Sequence, residues 1–266
     1  MKPRLHYYDM GHGVTAFSST RQGGYSKGSY AEFNINRYCG DDETAIAGNR
    51  KALCQLLGID DRRLIMPHQT HQTRVARIDD AFLALPATEQ QEALEGTDAL
   101  MTDASQVCIG VSTADCIPLL LYDREHHAAC AVHAGWRGPV ARIARKAVAA
   151  MTEAYGTQPS QLVAQIGPGI GLDSFEVGQE VYDAFAAAGF AMQAIGRRYP
   201  AGGNPPAEKW HIDLPLCNRQ QLMDCGLPPE AIGASPACTY RHHDTYFSAR
   251  RQGIASGRIF TAIIIS

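Results

Sequence analysis

The chain has 266 residues, 45% hydrophobic and 19% charged, and its 24 Lys and Arg against 27 Asp and Glu leave a net charge of −3. A polypeptide of this length buries roughly 70–75% of the surface its unfolded form exposes, so a core forms without staples. The balance lacks the basic excess of a nucleic-acid binder, and no apolar run approaches the ~20 residues of a membrane span. Residues 14–19 have strand composition and lead into a Gly23-Gly24 turn. Residues 42–57 carry helical spacing up to a stop at Gly58, and 105–112, 116–122 and 127–133 are short, branched apolar runs of strand length. Pro139 sits where a first helical residue belongs, and Val140, Ile143, Ala147 and Met151 continue the stripe to Gly156. Asp173-Ser174-Phe175-Glu176 is a capping-box pattern that predicts a helix to about residue 188. The Pro- and Gly-rich stretch 199–206 reads as a long surface loop, Asp213-Leu214-Pro215 opens a helix that stops at Gly226, and 258–265 is a buried strand. This order predicts an α+β fold, one domain over residues 1–266 of mixed β-sheets packed together and flanked by helices.

Eight cysteines (39, 54, 108, 116, 130, 217, 225 and 238) form no C-x-x-C pair, and several lie in apolar runs. The opening Met1-Lys2-Pro3-Arg4-Leu5-His6 lacks the apolar stretch of a secretory signal. The expectation is a cytoplasmic protein, with no membrane or nucleic-acid partner, whose thiols are mostly reduced core residues.

The most informative stretch runs from Thr113 to Gly138, two apolar strands around the polar Asp123-Arg124-Glu125-His126. If Arg124-Glu125 are a two-residue loop, Cys116 and His133 face each other across the hairpin, with Cβ atoms about 4.5–5.5 Å apart. A metal that holds a thiolate at ~2.3 Å and an imidazole at ~2.0 Å fits that gap. His68-Gln69-Thr70-His71 is the reservoir for a third ligand, and three protein ligands on zinc leave a reactive position open. The bland alternative makes both histidines structural and Cys116 a core thiol.

His68-Gln69-Thr70-His71, Ala114-Asp115-Cys116-Ile117-Pro118, His133-Ala134-Gly135-Trp136-Arg137-Gly138 and Ile166-Gly167-Pro168-Gly169-Ile170 resemble the laccase-domain family. Its members also carry the names multicopper polyphenol oxidase, purine nucleoside phosphorylase and peptidoglycan editing factor. The likeness extends to Thr20-Arg21-Gln22-Gly23-Gly24 and Phe247-Ser248-Ala249-Arg250-Arg251, nearly the whole chain. It departs from many members at Gln72 and at Leu172-Asp173-Ser174, neither of which supplies a ligand. The resemblance implies a zinc site of His71, Cys116 and His133, phosphorolysis of adenosine, inosine, guanosine and methylthioadenosine, and deamination of adenosine. Copper is the alternative ion; multicopper chemistry needs clustered His-x-His motifs, and the chain offers only the pairs His126-His127 and His242-His243.

Around that centre, Arg137 precedes a helix and is a candidate for phosphate, as are Arg21 and Arg250. Asp115 is a candidate acid/base or imidazole-orienting group, Gln69 a substrate-binding residue, and the Gly167–Gly171 turn a pocket wall. Two other readings stand beside the nucleoside enzyme, expected as a monomer with small-molecule substrates. One is a metal-free hydrolase, such as a peptidoglycan-precursor editor, with Cys116 activated by His133. The other is a purine-binding module without chemistry.

Overall fold

The computed structural model describes residues 1–201 and 207–266. In chain order the strands are β1 Leu5–Tyr8, β2 Val14–Ser19, β3 Leu64–Ile65, β4 Val75–Arg77, β5 Ala99–Thr102, β6 Cys108–Thr113 and β7 Ile117–Asp123. There follow β8 Ala128–Ala134, β9 Leu162–Ile166, β10 Glu176–Val177, β11 Gly196–Ala201, β12 Ala207–Ile212, β13 Ile232–Ala234 and β14 Ile259–Ile265. They build a five-stranded sheet β1-β2-β14-β6-β3, a six-stranded sheet β13-β9-β7-β8-β5-β4 and a small sheet β10-β12-β11. The two large sheets mix parallel and antiparallel pairs, so the fold is the α+β arrangement of mixed sheets that the sequence predicts.

The period of two explains why the long strands are apolar throughout. Leu120, Tyr122, Ala129 and Ala131 of the six-stranded sheet meet Ile109, Val111, Ile263 and Ile265 of the five-stranded sheet in one core. The alternate residues Leu119, Leu121, Cys130 and Val132 face a helical layer that includes Ile143, Ala147, Met151 and Leu222. On the far side Phe17, Cys108, Phe260 and Ala262 pack against Leu53 and Cys54 of the helix Glu43–Leu57. Each central strand is thus buried on both faces, and a continuous apolar run results. Cys108, Cys130 and Cys217 are fully buried core thiols, and burial pushes each of them up from the ordinary thiol range.

Several elements follow directly from local chemistry. Asp42 caps Glu43–Leu57 by accepting from Ala45 N, and Gly58 ends it at φ 69°. Asp213 caps Leu214–Asp224 by accepting from Leu216 N. Other expectations need correction. Pro139 lies inside a short turn of helix, Arg137–Val140, and the long helix Ile143–Tyr155 starts only after Arg142 turns left-handed at φ 62°. The capping-box residues open no helix: Leu172–Ser174 is a single 3-10 turn, and Glu176 and Val177 are drawn into pairing with His211 and Trp210. The helix there is Gln179–Ala187 with Gly178 at its cap. Of the expected loop 199–206, Tyr199, Pro200 and Ala201 belong to β11, and 202–206 lie outside the described residues. Proline is tolerated because β11 is an edge strand.

The hairpin register also shifts. Pro118, not Cys116, is opposite His133, because the turn holds four residues, Arg124 to His127. The Asp123 carboxylate accepts from the N–H groups of Glu125 and His126 at 2.9 and 3.1 Å, which draws the chain into the wider turn. Cys116 lies just outside β7, in the bend before Ile117, so its place beside His133 is set by that bend and not by the hairpin register. Leu120 is fully buried between the two large sheets. Leu120→Ala is expected to lower unfolding free energy by about 2–5 kcal/mol, measured by urea denaturation.

Candidate metal centre

His71 lies on the connection from β3 to β4, and Cys116 on the bend from β6 to β7. Both connections pass from the five-stranded sheet to the six-stranded one. His133 is near the end of β8. One donor atom from each lies within 4.8 Å of the other two, and Cys116 Sγ is 3.9 Å from His71 Nε2. Bonds of about 2.3 Å to sulfur and about 2.0 Å to nitrogen at tetrahedral angles place donors roughly 3.5 Å apart. The Cys116–His71 pair is within a few tenths of an ångström of that spacing, and all three donors are close enough to converge on one ion. His71 is exposed, Cys116 half-buried and His133 buried, so the group opens to one side.

The residue that organises the group escaped the sequence reading. Asp98 is fully buried immediately before β5. Its carboxylate accepts from the backbone N–H groups of Thr70, His71 and Gln72 at 3.2, 3.0 and 2.8 Å. It also bonds His133 Nδ1 at 2.7 Å, and its carbonyl accepts from His133 N at 2.8 Å. Those bonds hold the loop in which His71 takes a left-handed φ of 62°. They also leave His133 Nε2 as the nitrogen facing the cluster. Burial alone would raise the Asp98 carboxyl, but the His133 hydrogen bond and charge and the Gln72 and Thr70 amides carry it below the usual range. Gly96-Thr97-Asp98 before an apolar run looks like ordinary turn chemistry, so nothing local marks Asp98 out.

Cys116 and His133 polarise each other. Burial pushes the thiol up, but the His133 charge and the hydrogen bonds from His133 and His71 outweigh it, and the net shift is downward. Burial pulls the imidazole down, and the Cys116 thiolate and Asp98 more than reverse that. Thiolate is the form that binds metal. Gly135 supplies the remaining constraint: a Cβ there would stand 2.8 Å from His71 Cδ2 and 3.0 Å from Cys116 Sγ.

The group opens on a cavity of about 300 Å³. Tyr38 and His68, both on its wall, are stacked with ring centroids 4.1 Å apart. Gln69 also lines it, with its amide donating to Ser112 O at 2.8 Å and accepting from Ser112 N at 2.7 Å. The cation on this wall is Arg258, which sequence reasoning missed. It braces its own loop by donating to the carbonyls of Ile254, Ser256 and Gly257.

The other expected residues are placed as follows. Asp115 sits at φ 87° in the bend, where strand alternation does not apply. Its two carboxylate oxygens accept from Thr239 Oγ1 and Arg250 N, each at 2.7 Å. Asp115 lines a neighbouring cavity of about 380 Å³ together with Arg250. The Gly167–Gly171 turn lies against both residues of this bend: Ile170 N donates to Asp115 O, and a Cβ on Gly169 would be 3.2 Å from Cys116 O. Arg137 is exposed with its guanidinium over Trp136, 4.2 Å from the ring centroid, and is not on the wall of the metal cavity. Arg21 is spent on the carbonyls of Ala31 and His243 and on the face of Phe247, away from the cluster.

A mixed-sheet sandwich with a His-Cys-His group at the crossing between sheets defines a laccase-like protein. The chain belongs to the family described as multi-copper polyphenol oxidoreductase laccase, whose model matches residues 15–266. It is 45% identical over 252 residues to the purine nucleoside phosphorylase of Bacteroides thetaiotaomicron, covering 95% of this chain and 92% of that protein. It is also 45% identical over 251 residues to adenosine deaminase RL5 of an unknown prokaryotic organism, covering 94% of each. The crystal structure of YlmD from Geobacillus stearothermophilus matches with a TM-score of 0.85 at 28% identity, covering 97% of this chain and 94% of that one.

Asp98→Asn puts an N–H against donors and is expected to weaken divalent-metal binding about 10–100-fold by titration with a chromophoric chelator. Because the folded carboxyl is depressed, its stabilisation is complete above the ordinary Asp range of about 3.9. It disappears as pH falls through the folded value. The unfolding free-energy gap between wild type and Asp98→Asn therefore shrinks in acid, and because Asp98 also raises the His133 imidazole, the part carried by that pair fades as pH climbs through the folded imidazole value. Gly135→Ala, by crowding His71 and Cys116, is expected to lose metal on dialysis while circular dichroism stays native.

Proposed function

We propose that the protein is a zinc-dependent purine nucleoside enzyme. It splits adenosine, inosine, guanosine and methylthioadenosine with phosphate to the free base and a pentose 1-phosphate, and it deaminates adenosine. The observation that carries this reading is the His71, Cys116 and His133 group, held by Asp98 and open to a cavity with an aromatic wall. Two imidazoles and one thiolate are a zinc donor set, and three protein ligands are the pattern of a catalytic site. Among the described residues this is the one such His/Cys/Asp/Glu group, which favours a mononuclear site over a multicopper centre. The names of the two 45%-identical relatives supply the substrate class and the two reactions. Eight unpaired cysteines accord with a reducing, cytoplasmic setting, and we take residues 1–266 as one domain acting as a monomer.

When bound, zinc supplies a Lewis acid that brings the pKa of a coordinated water to about 7. The chain's own residues do the positioning. Asp98 orients His133 and the His71 loop, Gly135 leaves room for the ring and the sulfur, and the Tyr38–His68 pair offers a flat face to a base. Cys116 held as thiolate also supports a second reading, nucleophilic hydrolysis by Cys116 with His133, as in editing a cell-wall precursor.

Incubation of adenosine with and without phosphate, on protein purified without added copper and assayed for metal, separates these readings. The nucleoside enzyme is expected to carry about one zinc per chain, to form adenine only with phosphate, and to form inosine in either case. Cys116→Ala should lower both products at least 100-fold, and zinc should protect Cys116 from iodoacetamide after chelation. Metal-free protein that turns over neither way, with Cys116 rapidly alkylated, would favour the hydrolase. Binding without any product would leave only the purine-binding module.

A further inference from the structure

We propose that the second cavity, beside the metal group, is the acceptor subsite of the nucleoside reaction. It takes the pentose and the inorganic phosphate that attacks it, and Arg250 is the phosphate-binding cation. This assignment rests on the nucleoside reading above.

The two cavities are neighbours that share a wall. The one of about 380 Å³ is lined by Asp115, Ile170, Phe175, Ala249, Arg250 and Ile254. Ala249 and Ile254 also line the metal cavity. The single chain step from Asp115 to Cys116 crosses from one to the other. A substrate can therefore lie across the Ala249–Ile254 ridge with one end in each. Ile254 is 83% exposed there, an apolar side chain left uncovered at the join.

The linings differ in their stacking surface and in their charge. The metal cavity has the Tyr38–His68 stack and polar Asn36 and Ser112, suited to a purine. Its neighbour has apolar Ile170 and Phe175 and a single cation. Arg250 is fixed along its whole length. Its backbone N–H donates to Asp115, its Nη1 donates to Glu176 O at 3.0 Å, and its guanidinium lies over Phe175 at 5.5 Å. Arg50 and Arg241 are neutralised by Asp61 and Asp173. Among the described residues Arg250 has no ion pair, so its charge is uncompensated. The carboxylate of Asp115 is the other charge on this wall, and both its oxygens are already bonded to Thr239 and Arg250 N.

The chemistry sets the direction. Deamination requires the six-position of the purine at the metal end. In phosphorolysis a phosphate oxygen forms a bond to C1′ on the face away from the base. The bond from C1′ to N9 breaks, and its electron pair leaves with the purine, which takes up the proton that hydrogen phosphate gives up as its oxygen bonds to C1′. The anion must then be held on the far side of the pentose from the metal, where Arg250 stands. One substrate pose thus meets water at one end and phosphate at the other.

The test compares metal-loaded wild type with Arg250→Gln and Arg250→Lys on adenosine over a range of phosphate concentrations, with adenine, inosine and hypoxanthine quantified. Binding of inorganic phosphate is followed separately by ³¹P line broadening. Arg250→Gln is expected to raise the KM for phosphate at least tenfold. At fixed phosphate it should shift the ratio of adenine to deaminated product, inosine and hypoxanthine together, at least tenfold toward deaminated product and abolish the broadening. Arg250→Lys should recover part of each. An unchanged ratio with unchanged broadening, or equal loss of both products with phosphate still bound, would overturn the assignment. A wild type that forms neither product refutes the nucleoside reading instead, and the phosphate-binding comparison then decides the subsite alone.

Discussion

The carboxylate of Asp98 is the point on which the rest of the site depends. It is buried, ionised and saturated by three backbone amides and an imidazole. A buried charge is tolerated only when its hydrogen-bonding capacity is met. Here the satisfying donors are the loop that carries one histidine and the ring of the other. Desolvating Asp98 without them would be costly, so folding of the sandwich and assembly of the donor group are one event. The same bonds explain how His71 is held in a left-handed conformation that a non-glycine residue seldom adopts.

The location follows from topology. Chain that crosses between two packed sheets must leave regular pairing, and both the His71 and Cys116 segments do so at the same rim. Strand ends there are anchored by cores on either side, which keeps irregular backbone in register with β8. Side chains from segments about 45 and 17 residues apart in sequence thus converge without any local metal motif. Close packing at this rim leaves no space for a side chain at Gly135 or Gly169.

What was legible in the sequence is what local chemistry decides. The caps at Asp42 and Asp213, the stop at Gly58 and the doubly buried strands each have a short-range cause. The hairpin itself was also legible, but its turn widened under Asp123, and Cys116 lies beside His133 from the bend before β7 and not by strand pairing. Misreadings arose where distant partners prevailed. Glu176 and Val177 carry a helical signature yet pair with β12, and Pro200 looks like a loop residue yet sits at a sheet edge. Asp98 was invisible for the same reason, since the groups its carboxylate bonds lie far away in sequence; Arg258 bonds carbonyls of its own loop, and only folding brings that loop to the cavity wall. Arg21 showed the converse: a cation in a Gly-rich turn looked free, and two carbonyls claim it.

The clamp formed by Asp98 is closed by the chain's own donors on the segments that carry His71 and His133. Intrinsic affinity for nitrogen and sulfur donors rises from zinc to copper(II). A donor set of two imidazoles and a thiolate is thus open to either ion, which suits a family described by copper whose relatives are named for nucleosides.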